Sequence, residues 1–127
     1  MERSALEIAS AVRQGELSAV DVAEGYLQRT ERFDPQLHAF LHVRRDEVLA
    51  AAKKVDEKRA RGELLGKLAG VPVALKDNLC TRGIPTTCAS KILEGYVPPY
   101  DAHVVERLVA EDAVPFGKTN MDEFAMG

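Results

Sequence analysis

The sequence predicts an α/β fold in which N-terminal helices precede part of a mixed β-sheet with flanking helices. Helical periodicity with cap signals occupies much of the first 61 residues, and an uncharged run follows at residues 71–75. A second short apolar run, at residues 113–116, is separated from the first by a loop and a helical segment. The order strand, loop, helix, strand is typical of a sheet built with crossover helices.

Length and composition indicate one globular domain. The 127 residues are 46% hydrophobic and 29% charged, which is enough apolar material for a core of its own. We expect residues 1–36 to form packing helices and residues 37–127 to form the start of the α/β core. All 127 residues then belong to a single domain.

Charge and cysteine content exclude several classes of function. The net charge of −3 gives no electrostatic reason for direct binding to nucleic acid. No apolar run is long enough to span a bilayer, and no signal peptide is visible. Cys80 and Cys88 form neither a disulfide framework nor a zinc motif. These features predict a cytoplasmic protein with reduced thiols.

Two helices are predicted at the N-terminus. Ser4 and Glu7 have the spacing of a capping box, and Gly15 is a plausible stop. Ser18 is expected to open the second helix, and the pair at 34–35, Asp-Pro, is expected to end it. Neither helix carries residues that suggest chemistry.

Residues 37–43 form an apolar run that favours a strand. His38, Phe40 and His42 would then share one face of it. Two histidines on one face could be half of a metal site, but no third ligand lies nearby in the sequence. Surface or partly buried histidines are therefore the preferred interpretation, and no metal site is predicted.

Two further helices are predicted. Residues 44–61 combine a narrow apolar stripe with mixed charges, which is typical of a helix with a solvated face. Asp101 is expected to cap a later helix whose apolar face would be formed by Val104, Val105, Leu108 and Val109.

Lys76 is the best candidate for a functional group. It follows directly on the run at residues 71–75, which has no charge and predicts a strand buried on both faces. Sites in α/β proteins are usually built at the carboxyl edge of the sheet. Lys76 is therefore either a solvated strand terminator or a functional amine. A lysine that acts as a base must be neutral, which burial or a second cation can achieve, and the position of Lys76 fits burial.

Other candidate motifs are weaker. Residues 117–119 (Gly-Lys-Thr) resemble the end of a phosphate loop, but Asp112 stands where that loop needs glycine. Cys88 has no evident base to activate it. Residues 122–123 are adjacent acids that would not face each other, so a solvated pair is expected. Ser90 is the only serine after Lys76.

Four blocks in order carry a resemblance to a known family. They are residues 70–78 (GVPVALKDN), 86–91 (TTCASK), 97–102 (VPPYDA) and 117–127 (GKTNMDEFAMG). The chain resembles the amidase signature family over its whole length, and within that family it is most similar to the A subunits of aspartyl/glutamyl-tRNA amidotransferases. The resemblance implies the amidase signature fold, of which these residues would be the N-terminal portion.

The resemblance also implies a catalytic role for one residue. The family uses a Ser–cis-Ser–Lys triad, and its lysine falls on Lys76. Both serines and the oxyanion hole would follow Gly127 in a Gly/Ser-rich signature, and Ser90 matches neither serine. Ala125, Met126 and Gly127 match a segment that lines the acyl pocket, largely through its backbone.

The implied function is that of a glutaminase subunit. Glutamine would be hydrolysed through an acyl-enzyme, and the ammonia would pass to a partner that amidates Glu or Asp misacylated on tRNA. The resemblance implies no cofactor in this chain, but ATP and Mg in the partner, and a cytoplasmic heterotrimer completed by two other amidotransferase subunits, B and C. The misacylated tRNA would be bound mainly by the first of these two.

Three alternatives remain open at this point. The residues could be part of a stand-alone amidase acting on another small amide, or a truncated, non-catalytic scaffold. The chain could also be a partial sequence, and we expect it to be inactive alone. One local departure from the resemblance is Asp112, close to a position where such subunits usually have glycine in a left-handed turn.

Overall fold

The computed structural model describes residues 3–127, which form an α/β fold, as predicted. Its helices and strands are α1 (Ala5–Gln14), α2 (Ala19–Leu37), β1 (Phe40–His42), α3 (Arg45–Ala60), β2 (Pro72–Lys76), α4 (His103–Ala110) and β3 (Val114–Thr119). Two 3₁₀ turns, Lys91–Leu93 and Glu123–Ala125, lie in the connections after β2 and β3.

The sheet is mixed and has β3 at its centre. The strand order is β1-β3-β2, in which β2 and β3 are parallel and β1 is antiparallel to β3. The connection from β2 to β3 passes through α4, which confirms the predicted crossover. β3 runs further than the predicted residues 113–116 and includes Lys118. This extension places Lys118 inside the sheet, opposite Leu75 of β2.

The predicted capping box of α1 is present. The Glu7 amide donates to Ser4 Oγ (3.3 Å), and the Ser4 amide donates to Glu7 Oε2 (2.7 Å). Gly15 ends the helix with φ +77°, a left-handed conformation that glycine adopts at little cost.

The predicted end of α2 at residues 34–35 is wrong, because the helix continues through Pro35 to Leu37. Proline removes only its own N–H, and the final turn still closes because the His38 amide donates to the Asp34 carbonyl (2.8 Å). The Asp34 carboxylate also accepts from the Ala39 amide (2.8 Å). These bonds hold the chain reversal that the Asp-Pro pair was expected to make.

The predicted strand at residues 37–43 shortens to Phe40–His42 for the same reason. His38 caps α2 with φ +52° and is not part of the strand. The expectation that His38 shares a strand face with Phe40 and His42 is therefore wrong.

The core joins the first three helices to β2 and β3. Its buried cluster includes residues of α1, α2, α3 and the two parallel strands. Its members are Ile8, Ala9, Val12, Ala19, Ala23, Leu27, Val48, Ala52, Val55, Leu65, Ala69, Val71, Val114 and Phe116.

The charged face of α3 is not purely solvated, which corrects the prediction for residues 44–61. The Asp56 carboxylate accepts from the amide of Ala19 (2.8 Å) and so helps to cap α2. Arg59 Nη1 donates to the carbonyls of Val12 (3.0 Å) and Leu17 (2.9 Å). These charges tie α3 to the α1–α2 connection.

Asp101 does not cap α4, contrary to prediction. Ala102 is the N-cap residue and makes no side-chain cap bond, and Asp101 Oδ1 instead accepts from the amide of Arg82 (2.7 Å). Of the predicted apolar face only Val105 is fully buried, while Val104 and Val109 are exposed. Asp101 therefore stabilises the turn after β2 rather than the helix.

Candidate active site

Lys76 is the last residue of β2, at the carboxyl end of the strand, and its side chain is exposed. The predictions of a strand buried on both faces and of a buried lysine are therefore wrong. Leu75 is buried, whereas Ala74 on the other face is exposed. The reason is that β2 is an edge strand of this sheet, and the face that carries Ala74 and Lys76 is not fully covered.

The buried charges at this end of the sheet belong to the neighbouring residues. Asp77 and Lys118 have side-chain exposures of 0% and 1%, and Lys118 Nζ lies 3.4 Å from Asp77 Oδ1. Lys118 Nζ also donates to the Leu79 carbonyl (2.7 Å) and to Thr86 Oγ1 (2.9 Å). Burial lowers the pKa of Lys118, and the charge of Asp77 opposes that shift only in part.

Sequence reasoning missed both members of this ion pair. A usable signal was present, because Val114, Phe116 and Lys118 alternate with less buried residues along β3. This period-two pattern extends the inward face to the lysine. The Gly-Lys-Thr segment at residues 117–119 is thus strand, which agrees with rejecting a phosphate loop.

The segment after β2 folds back onto its end. The amide of Thr87 (2.9 Å) and its Oγ1 (2.6 Å) both donate to Asp77 Oδ2. The Cys88 amide donates to the Asp77 carbonyl (2.9 Å). Cys88 and Ala89 then have positive φ values of +52° and +54°, which non-glycine residues adopt only when surrounding bonds hold them.

The last residues of the chain are tied to this same segment. Buried Ser90 donates through Oγ to Glu123 Oε1 (2.6 Å), and the amide of Phe124 donates to the Cys88 carbonyl (3.0 Å). Glu123 is therefore not merely half of a solvated acidic pair, as the sequence suggested. The weaker candidates Ala125, Met126 and Gly127 follow directly and are exposed.

The structure thus brings two of the sequence blocks to one edge of the sheet. Residues 120–127 leave β3 beside the end of β2, where Lys76 pairs with Thr119, and they contact residues 88–90. This arrangement offers an exposed amine at a strand end, next to a polar, hydrogen-bonded loop.

Two structural searches gave negative results for residues 3–127. No cluster of three or more His, Cys, Asp or Glu side chains in this range is arranged to hold a metal ion. Within the same residues, no helix has the length and apolar character needed to cross a membrane.

The fold and this edge define a class of protein. The model of the amidase family matches residues 21–127, and the chain belongs to that family. Among solved structures, the native peptide amidase from Stenotrophomonas maltophilia superposes with a TM-score of 0.90 at 34% identity. That match covers 97% of this chain and 26% of the peptide amidase. A second structure, from a vestigial complex described as revealing the origins of an s-triazine catabolic enzyme, gives a TM-score of 0.94 at 38% identity, covering 98% of this chain and 28% of its own.

Curated relatives are more similar still. The A subunit of the Glutamyl-tRNA(Gln) amidotransferase of Streptomyces coelicolor is 63% identical over 124 residues, which are 98% of this chain and 25% of that protein. The protein of the same name from Synechococcus elongatus is 58% identical over 121 residues, 95% of this chain and 25% of its own length. The chain therefore spans about a quarter of the length of these relatives.

Proposed function

We propose that these residues are the N-terminal portion of the glutamine-hydrolysing A subunit of a tRNA-dependent amidotransferase. The observation that carries this proposal is the 63% identity, over 98% of the chain, to a protein named as the A subunit of a Glutamyl-tRNA(Gln) amidotransferase. The match to the amidase family over residues 21–127 supports amide hydrolysis as the underlying chemistry.

Lys76 is the proposed general base of the Ser–cis-Ser–Lys triad. In its neutral form it would accept a proton from the bridging serine, which in turn accepts one from the nucleophilic serine. The nucleophile would attack the amide carbon of glutamine, and ammonia would leave as the acyl-enzyme forms. The exposure of Lys76 at the end of β2 supports this role, because the amine is accessible to a serine supplied by another segment.

The partners follow from the same proposal. Ammonia would pass to a second protein, the B subunit, which holds ATP and Mg and amidates the misacylated Glu or Asp on tRNA. The complex would be a cytoplasmic heterotrimer that also contains the C subunit. The net charge of −3 is compatible with tRNA binding mainly to the B subunit. The 127 residues alone should be inactive, because the resemblance assigns both serines to positions after Gly127.

A stand-alone amidase is the second candidate, favoured by the TM-score of 0.90 to a peptide amidase. Copurification separates the two candidates. The amidotransferase protein is retained with two partner subunits and hydrolyses glutamine, whereas a stand-alone amidase purifies alone and prefers another amide, such as a peptide amide.

The direct test is Lys76→Ala in the complete subunit. We expect glutamine hydrolysis to fall by about 10²–10⁴-fold, the usual contribution of a general base, while the fold is retained. Lys53→Ala is the matched control, because Lys53 is an exposed lysine of α3 with 70% side-chain exposure, and it should leave turnover unchanged. Near-normal turnover in Lys76→Ala would remove Lys76 from the mechanism.

A further inference from the structure

The strand register places Lys76 and the buried ion pair on opposite faces of the sheet. Lys76 pairs with Thr119, and Leu75 pairs with Lys118. The Asp77 amide donates to the Thr119 carbonyl (3.2 Å), so the ladder continues one residue past β2. Because side chains alternate along an extended chain, fixing Asp77 on the face of Lys118 directs Lys76 to the other face.

Asp77 is held at every polar group except one. Its amide and carbonyl are bonded to Thr119 and Cys88, and its Oδ2 accepts two bonds from Thr87. Within residues 3–127, Oδ1 has no hydrogen-bond partner, and the cation 3.4 Å away is Lys118. A buried carboxylate oxygen in this state depends on charge compensation, so Lys118 is required for Asp77 to stay inside.

Lys118 also fixes the loop that leaves β2. Its Nζ reaches Asp77, the Leu79 carbonyl and Thr86 Oγ1, which are three separate points of the segment between residues 77 and 86. An apolar side chain of the same length would fill the space but make none of these contacts. The ammonium therefore acts as the common anchor of the chain on both sides of the turn after Lys76.

We propose that Lys118 is a positioning residue for Lys76, acting through the buried Asp77 carboxylate and the loop at residues 77–87. The proposal rests on the proposed function, since it gives Lys76 the role of base. A lysine amine on a four-carbon stem must meet its serine within hydrogen-bond reach, and displacement of the reacting groups by about 1 Å can lower a rate by about 100-fold. Lys118 itself touches neither substrate nor serine in this scheme.

The test compares two lysines that each pair with an aspartate, in the complete protein within its three-subunit complex. Lys118→Met removes the anchor, and Lys58→Met removes the matched partner of Asp112 at the other end of β3, where Lys58 Nζ lies 2.8 Å from Asp112 Oδ2. We expect Lys118→Met to lower kcat for glutamine hydrolysis by about 100-fold, per glutamine-binding site counted by calorimetry, with KM changed less than about threefold. Lys58→Met should lower the melting temperature but keep kcat.

A second pair of variants covers the case in which Lys118→Met does not fold. Thr86→Val removes the hydroxyl that accepts from Lys118, and Thr86→Ser keeps it. We expect kcat to fall on the order of tenfold in Thr86→Val and to return to near the original value in Thr86→Ser.

The outcomes separate the two proposals. If Lys76→Ala is inactive but Lys118→Met and Thr86→Val keep kcat, or lose it no more than Lys58→Met does at equal loss of melting temperature, the positioning role is overturned and the function stands. If Lys118→Met does not fold, equal kcat values in Thr86→Val and Thr86→Ser overturn the positioning role. If Lys76→Ala retains turnover, the proposed function fails first, and the role of Lys118 fails with it.

Discussion

The parallel pair β2–β3 has a lysine–aspartate ion pair at each end, and the two pairs are built differently. At the amino end, Lys58 Nζ lies 2.8 Å from Asp112 Oδ2, with side-chain exposures of 31% and 11%. At the carboxyl end, Lys118 Nζ lies 3.4 Å from Asp77 Oδ1, with exposures of 1% and 0%. The same two residue types are thus partly exposed at one end and enclosed at the other.

The amino-end pair depends on hydrogen bonds. Lys58 Nζ donates to both Asp112 oxygens (3.0 and 2.8 Å), and the amide of Gly66 donates to Oδ2 (2.7 Å). Asp112 has φ +62°, so it also makes the left-handed turn that glycine would usually make. Its carboxylate supplies bonds that glycine lacks, which gives a physical reason for the departure at this position.

The carboxyl-end pair depends on charge compensation. Asp77 Oδ1 has no hydrogen bond within residues 3–127, and both side chains are shielded from solvent. Water cannot replace a lost partner there, whereas it can at the amino end. The comparison teaches that the enclosed pair should be strongly coupled and the partly exposed pair weakly coupled.

The largest expected difference is in the coupling free energies of the two pairs. Asp77→Asn should destabilise the chain by about 3–5 kcal/mol, because it leaves Lys118 buried without its counter-ion. Combining it with Lys118→Met should recover about 2 kcal/mol of that loss. The matched cycle, Asp112→Asn with Lys58→Met, should give a coupling of about 1 kcal/mol or less.

Urea unfolding of the 127-residue chain, followed by circular dichroism, measures both cycles. Hydrogen exchange locates the effect: Asp77→Asn should speed exchange at the Thr87 and Cys88 amides and leave the Gly66 amide unaffected. Equal coupling energies at the two ends would show that enclosure does not decide the strength of these pairs.

A smaller effect is expected from two substitutions of Asp112. Asp112→Ala loses the bonds to Lys58 and Gly66 and keeps a Cβ in the left-handed region, so it should cost about 2–3 kcal/mol. Asp112→Gly loses the same bonds but relieves the backbone, and should be more stable than the alanine variant by about 1 kcal/mol. Urea midpoints rank the three proteins, and an alanine variant as stable as the glycine variant would contradict the strain at φ +62°.

Much of the fold was predictable because it follows from local signals. The capping box at Ser4 and Glu7, the stop at Gly15 and the crossover between β2 and β3 are all confirmed. Local rules failed where tertiary bonds compete with them. The Asp-Pro pair at residues 34–35 continues its helix because the Asp34 carboxylate finds partners beyond it, and Asp101 bonds to Arg82 instead of capping α4.

The candidate site was predictable only in part. The strand that ends at Lys76 could be read from its uncharged run, but the exposure of that lysine depends on β2 being an edge strand. Strand order is set by contacts between distant segments, which periodicity does not contain. The burial of Asp77 and Lys118 depends in the same way on the parallel register, which brings residues 41 positions apart in the sequence together.

The smallest expected effect is a pH dependence that belongs to the carboxyl-end pair. Burial holds the pKa of Lys118 below its ordinary value of 10.5. As the pH rises through that lowered pKa, the folded chain releases the proton while the unfolded chain still keeps it. The unfolded state then binds more protons, so stability should gain with pH up to about 10.5, by at most about 1.4 kcal/mol per pH unit.

Lys118→Met lacks the titrating group and should show a shallower slope over this alkaline window, whereas Lys58→Met keeps Lys118 and should retain the slope of the unsubstituted chain. Urea midpoints at constant ionic strength, between about pH 8 and about pH 10.5, measure all three slopes. Other lysines and tyrosines titrate in this range in every variant, so only the difference between slopes reports on Lys118. Parallel curves would mean that the enclosed ammonium ionises as it would in water, and that the Asp77 charge offsets its burial in full.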